Sequence, residues 1–402
     1  MVAVNRGGLS LGSVPGVVFT SGPTWVEVRR SSLHILKNLG FGKNSMEDII
    51  DQDINNLIQY IEDQWLDTPI DMAHFFNIAV LASLWKIISG ESLKIGDPML
   101  ENLLDALHAT FKEFSNPIIM RALSSIPVFK FFHKIGLTKM PDDHKKIIDF
   151  VQDNINVTKS KTIDGENPLT FIEAFIHKIQ TTDDKNHPLY QDRGELNLVS
   201  LLIDLFGAGS DTTATTLNWA MMYMILNPDV QDKVRQELNE KVGHRKPNMS
   251  DKSSTPYTEA VINEIQRKGD IATLSVFHYT NDEMEIGPYQ VPKGTIVVPM
   301  LGTVYHDPDY FPNPSKFDPT RYLSEESDGT LKFIPNQRLI PFGIGKRRCL
   351  GETLAKTTLY KFFTAIVQRF KIVSGQNEPI KDEHIFEFVR CPAPYRLKFL
   401  KI

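Results

Sequence analysis

The chain has 402 residues, 41% of them hydrophobic, a formal net charge of -5 and an isoelectric point near 6.1. That length and apolar content suffice for one large core, while mild acidity without a Lys/Arg block excludes a phosphate-tracking nucleic-acid surface. Two cysteines, Cys349 and Cys391, make no disulfide framework, no Cys-x-x-Cys or His-Glu-x-x-His spacing offers zinc ligands, and a reducing compartment fits best.

Residues 1–22 carry Arg6 as their only charge and lack the positive-then-apolar order of a signal peptide, reading instead as an interior loop. No stretch offers the roughly eighteen apolar residues of a membrane span, the best, 212–228, being broken by Thr, Asn and Pro. Helical periodicity predominates over 25–242, with polar breaks at 153–167 and 181–194 that read as surface loops. Near its start, Trp25 and Arg29 stand at i, i+4 and share a face. Residues 196–226 are apolar on nearly every side, which predicts a buried helix. Its centre, Gly207-Ala-Gly-Ser-Asp-Thr-Thr213, sets glycines and hydroxyls where strong helix formers belong, so the hydrogen-bond ladder is expected to open there.

Asn227-Pro228 caps a further helix ending near Gly243, and 244–256 reads as another loop. Glu264 and Arg267 then lie one turn apart on a helix face, ordinarily a weak surface ion pair. Strand-and-turn patterning with dense Pro and Gly fills 273–342, followed by a loop, a helix over 350–370 and a short strand-like tail. No repeat or linker appears, so 1–402 reads as a single, mainly α domain with small β-sheets.

The chemistry concentrates in Pro341-Phe-Gly-Ile-Gly-Lys-Arg-Arg-Cys-Leu-Gly351. This loop puts Cys349 at a glycine-flexed entry to a helix, where backbone N–H groups and the helix dipole stabilise a thiolate. Gly343, Gly345 and Gly351 allow backbone to lie against a flat macrocycle, Phe342 screens the sulfur, and Arg347 is placed to pair with a haem propionate. Cys349 therefore reads as a haem-iron ligand, the alternative for a lone cysteine being a small buried hydrophobe. Asp211 and Thr212 have two readings as well: a proton-delivering acid and alcohol, or a helix bend with a solvated carboxylate.

The loop resembles the cysteine-ligand loop of the cytochromes P450, the haem-thiolate monooxygenases, with Phe342, Gly345, Arg347, Cys349 and Gly351 at the family's spacing. Ala208-Gly-Ser-Asp-Thr212 is similar to its oxygen-activation segment, and the resemblance makes Asp211 and Thr212 the relay pair. Phe317-Asp-Pro-Thr-Arg321 resembles the segment whose Arg joins Glu264 and Arg267 in a buried network that locks the polypeptide behind the loop. Trp25-Val-Glu-Val-Arg29 resembles the family's Trp-x-x-x-Arg helix, which makes Trp25 and Arg29 propionate partners. His278 falls where microsomal members present another; a satisfied strand-end histidine is its alternative.

Leu202, Phe206 and Ala208, with Leu274, Val276, Phe277 and residues 386–389, are assigned by position to a substrate cavity, with plain core packing as the competing account. The order of these segments, with 305–317 and 24–43, is most similar to the eukaryotic microsomal branch. The resemblance implies haem b, dioxygen, a lipophilic substrate, electrons from NADPH through a flavoprotein reductase, and the cytosolic face of the endoplasmic reticulum. It further implies that 117–139 touches the membrane surface and that Arg30, Lys37, Lys346, Arg348 and Lys356 receive the reductase.

Only 24 residues precede Trp25, whereas microsomal members carry an anchor, a first helix and the first strands of the sheet ahead of it. The expectation is an N-terminally truncated chain. Lys268, Gly269, Thr273 and Phe277 also stand in a stretch that this branch usually fills with apolar residues and prolines, so specificity is expected to be unusual. Two rival functions follow: a catalytically inactive product that binds partners as a regulator, and an isomerase or dehydratase needing no external electrons, against which the Asp211–Thr212 pair argues.

Overall fold

The computed structural model describes residues 16–42, 44–114, 142–161, 168–386 and 389–402. Periodic apolar segments become helices: α1 (Gly22–Asn38), α2 (Asn44–Gln64), α3 (Asn77–Ser89), α4 (Pro98–Phe114), α5 (Asp142–Ser160), α6 (Phe171–Gln180), α7 (Gln191–Leu226), α8 (Pro228–Lys241), α9 (Pro256–Gly269), the short α10 (Leu301–Tyr305) and α11 (Glu352–Arg369). The result is mainly α with small antiparallel sheets, as composition and pattern require. Residues 117–139 lie outside the described residues, as do Glu387 and Phe388.

The chain forms two compact units. The first takes in the described residues up to Asp63, His74–Ala214 and Thr353–Thr358. In it α6 packs on α1, α3 and α5, and α4 on α5. Thr170 and Glu173 cap α6 reciprocally, each side chain accepting from the other's backbone N–H. Trp85 is wholly buried, with Phe150 at 4.8 Å and Phe206 edge-on at 5.9 Å between ring centroids.

Two helices extend into stretches whose polarity predicted loops. Helix α5 continues through Ser160 because Ile147, Val151 and Ile155, spaced four apart, are all buried. The intervening Asp153 and Asn156 belong to its outer side. Helix α7 begins at Gln191, inside the second expected loop. Gly194 is there for close approach: a Cβ on it would stand 2.4 Å from the Leu189 carbonyl oxygen. Nor does the ladder open in the centre of α7, which is helical throughout. Gly209 instead makes room for Leu84, whose Cδ2 would lie 2.5 Å from an added Cβ.

The second unit comprises Gln64–Ala73, Thr215–Glu352 and Leu359–Ile402. Its three-stranded antiparallel sheet has the order β1 (Ile70–Asp71), β11 (Arg396–Lys401), β8 (Phe370–Ser374), with Ile70 opposite Leu397 and Phe399 opposite Ile372. Alternation in β11 buries Leu397 and Phe399. Gln231 of α8 ties helix to sheet, donating to the Ile372 carbonyl at 2.9 Å and accepting its N–H at 2.8 Å. Glu237 of α8 accepts the N–H groups of Tyr257 and Thr258, capping α9 from outside.

Between α9 and α10 run four short strands, β2 (His278–Tyr279), β3 (Met284–Ile286), β4 (Tyr289–Val291) and β5 (Ile296–Val297), in the pairs β2–β5 and β3–β4. The hairpin β6 (Leu323–Glu325) and β7 (Leu331–Phe333) follows, and β9 (His384–Phe386) pairs with β10 (Arg390–Pro392) near the end. Ala260, Tyr305, Phe311 and Tyr322 form a local core under β6 and β7.

Candidate functional site

In the second unit, residues 341–351 fold as a tight loop closed by backbone hydrogen bonds. The Gly343 N–H donates to the Ile340 carbonyl at 2.9 Å, and the Cys349 N–H donates to the Phe342 carbonyl at 2.8 Å. Gly343 and Gly345 both adopt φ 70, the left-handed region that a Cβ penalises, so their glycines are required by the turn itself. One 3-10 turn, Gly345–Arg347, then leads to Cys349, three residues before α11 begins. Cys349 is exposed and in no disulfide, and Arg347 and Arg348 are exposed beside it. Arg348 pairs with Glu352 in the first turn of α11.

Beneath the surface of the same unit, Glu264 and Arg267 are fully buried. Glu264 accepts Arg267 Nε at 2.8 Å and Nη2 at 2.7 Å, the Asp318 N–H at 2.9 Å and the Tyr322 hydroxyl at 3.2 Å. Arg267 spends its remaining donors on the carbonyls of Tyr305, Pro314 and Lys316. Burial alone lowers the Arg267 pKa, but the hydrogen bonds and charge of Glu264 outweigh it and hold the guanidinium above its ordinary value. Arg321 Nε lies 3.5 Å from Glu264, and its Nη2 donates to the Asn313 carbonyl. The three residues meet around one carboxylate and clamp the stretch 305–321.

His278 pairs with Val297 across β2 and β5 and is exposed, as are Leu274, Val276 and Phe277 before it. No local pattern in the sequence marks Asp270, next to α9. Its carboxyl is buried, with φ 41 in the left-handed region, and burial pushes its pKa up to about 6 against the opposing hydrogen bond from Thr273 and the charge of Arg390.

In the first unit, Trp25 is buried and Arg29 half-buried on α1, the guanidinium carbon 5.8 Å from the indole centroid. On α7, Thr212 donates to the Ala208 carbonyl at 2.8 Å, and Asp211 is buried. Leu202 and Phe206 are wholly buried and Ala208 is exposed. Around Asp211 stand two residues that no local pattern marks. Asn77 of α3 donates to Asp211 Oδ1 at 3.1 Å, and His108 Nε2 of α4 lies 3.7 Å from the same oxygen. No sequence signal was available for them, because Asn77 is 134 residues away along the chain.

The family profile described as Cytochrome P450 matches residues 9–399. The chain belongs to the cytochrome P450 family. Its similarity to curated members runs nearly its whole length: 33% identity with cytochrome P450 2D9 of Mus musculus over 97% of this chain and 76% of that protein. Against cytochrome P450 2B15 of Rattus norvegicus the identity is 34%, over 96% and 76%; against cytochrome P450 2D15 of Canis lupus familiaris it is 35%, over 94% and 74%.

Membership makes the chain a haem monooxygenase of the oxidoreductase class, with haem iron as its cofactor. The second unit suits that group. Cβ atoms built on Gly343, Gly345 and Gly351 meet nothing within 4 Å, which leaves the loop backbone open to close approach by a flat ring, and the one sulfur of the loop is at the surface. Among the described residues of this P450, no helix is long and apolar enough to cross a membrane.

Proposed function

We propose that this cytochrome P450 oxidises a lipophilic small molecule, with electrons from NADPH through a flavoprotein reductase, at the cytosolic face of the endoplasmic reticulum membrane. The observation that carries the reading is the Cys349 loop, with its left-handed glycines, committed amide and exposed sulfur. When bound, haem iron supplies the dioxygen chemistry that places one oxygen atom in the substrate and reduces the other to water. Cys349 is assigned as its ligand, a thiolate that would donate electron density to the iron. Arg29, Trp25, His278 and Arg347 are assigned to the propionates, which otherwise carry two charges into a protein interior. Phe342 is assigned to screen the sulfur once the haem covers the loop.

Asp211 and Thr212 are assigned to proton delivery. A buried carboxylate takes a proton from the outside and the neighbouring hydroxyl passes it inward, orienting water as it does so. Glu264, Arg267 and Arg321 hold the segment before the loop. The substrate is assigned to Leu202, Phe206, Ala208, Leu274, Val276 and Phe277, and exposed Arg30, Lys37, Lys346, Arg348 and Lys356 to an acidic reductase surface.

The deciding measurement is the absorption spectrum of the reduced protein under carbon monoxide, beside that of Cys349→Ala. A strongly red-shifted Soret band lost in the variant is the expected result. A band at the position of a neutral-ligand haem in both proteins overturns the assignment of Cys349.

A further inference from the structure

Asp211 belongs to a cluster whose chemistry is not exhausted by proton delivery. One ligand atom from each of His74, His108 and Asp211 lies within 4.8 Å of the other two. His108 and Asp211 are shielded, with side-chain exposures of 17% and 7%, and His74 is on the outside, its ring stacked on that of His108 with centroids 3.7 Å apart. His74 reaches this place from a left-handed backbone, φ 59, in the turn that opens α3, and its carbonyl accepts the Asn77 N–H at 3.1 Å.

Asn77 completes the set. Its side-chain Nδ2 lies 3.2 Å from His108 Nε2 and 3.1 Å from Asp211 Oδ1, and those two atoms are 3.7 Å apart. Ligands at zinc bond lengths in a tetrahedron stand about 3.3 Å from one another, so this triangle already has the edge lengths of one coordination face. The amide orientation follows its partners: facing two acceptors it presents NH2, and a half-turn about its last torsion presents the carbonyl oxygen at the same point. A cation there makes that half-turn favourable, and two imidazoles, a carboxylate and an amide oxygen then converge.

We infer that His74, His108 and Asp211, with Asn77 as fourth donor, form a site for a borderline divalent transition metal of the zinc class. Hard cations such as magnesium are disfavoured by the two imidazoles. The inference about the site stands on geometry alone. Its consequence deepens the proposed function and rests on it: a metal-bound Asp211 is withdrawn from proton delivery, so the metal acts as an inhibitor of coupled turnover.

The test is equilibrium dialysis of the full holoprotein against zinc, with bound metal counted by elemental analysis, for the parent chain, His74→Ala, His108→Ala and the surface control His34→Ala. Zinc at one per chain is expected, weakened roughly tenfold or more in the first two variants and unchanged in the control. If His108→Ala fails to fold by circular dichroism, His74→Ala alone carries the comparison, since that side chain is exposed. No saturable zinc in the micromolar range, or equal binding in all four proteins, overturns the site. With zinc present, product per NADPH is expected to fall in the parent and not in His74→Ala; site-dependent zinc that leaves this ratio unchanged overturns the link to Asp211. Protein that binds zinc as expected but carries no thiolate-ligated haem overturns the proposed function and leaves the site standing.

Discussion

Arg267 Nη1 donates to the Tyr305 carbonyl at 2.8 Å across 38 residues of sequence, while its other nitrogens close on a carboxylate that solvent does not reach. The guanidinium therefore fixes where the chain turns after the strand-rich segment, and Glu264 fixes the guanidinium. Removing one charge of such a pair strands the other.

Glu264→Ala is accordingly expected to lower stability by about 3–5 kcal/mol. Glu264→Gln keeps the shape and one acceptor and should cost less. Denaturant unfolding of both variants, with haem content measured after gel filtration, checks this. A Glu264→Ala protein that unfolds at the parent's midpoint contradicts the buried network.

Alanine at Gly209 sets two effects against each other. The helix gains about 1 kcal/mol in backbone propensity, but the new methyl meets Leu84 Cδ2 at 2.5 Å, and overpacking costs about 1–3 kcal/mol. Net destabilisation of up to about 2 kcal/mol is expected. In a Leu84→Ala background the sign should reverse, with Gly209→Ala now stabilising. Thermal melts of the four proteins settle the matter, and additive changes would exclude the contact.

The folded-state pKa of Asp270 is raised from 3.8 to about 6. Between those values the native protein holds a proton that the unfolded chain has released. Stability therefore falls as pH rises from about 4 to about 6, and above that the cost levels off at roughly 3 kcal/mol. Asp270→Asn should remove this slope, gaining stability near pH 7 and almost none near pH 4. Chemical denaturation at both pH values measures it; an equal change at the two is the contrary outcome.

Thr212→Ala separates stability from chemistry. The hydroxyl donates back to the Ala208 carbonyl at 2.8 Å, a local bond along its own helix that adds little to stability, so the melting temperature should hardly move. Product formed per NADPH should drop, with peroxide making up the difference. An unchanged ratio removes Thr212 from proton delivery.

What the sequence discloses is local. The Cys349 loop is readable because cysteine, glycines and arginine fall within a few positions, and Trp25 with Arg29, or Glu264 with Arg267, because helical spacing aligns them. Tertiary encounters are hidden. Asn77 and His108 reach Asp211 from α3 and α4, and nothing in their neighbours announces it. Polarity misleads at 153–160, where Asp153 and Asn156 are the wet side of a helix whose buried side is Ile147, Val151 and Ile155. Glycine misleads in α7, where Gly194 and Gly209 admit neighbours instead of breaking the helix. Asp270 is hidden for a related reason: a carboxylate's burial depends on what folds over it.

The two thiols of this chain differ in exposure. Cys391, on β10, is half-buried with its sulfur 3.9 Å from the Thr215 hydroxyl, whereas Cys349 is exposed. A bulky alkylating reagent applied to the native fold will thus discriminate between them by rate. With Cys349 as the proposed iron ligand, haem binding would tie up the faster sulfur, and the number of rapidly labelled thiols per chain, read by mass spectrometry, would count the molecules that have not acquired their cofactor.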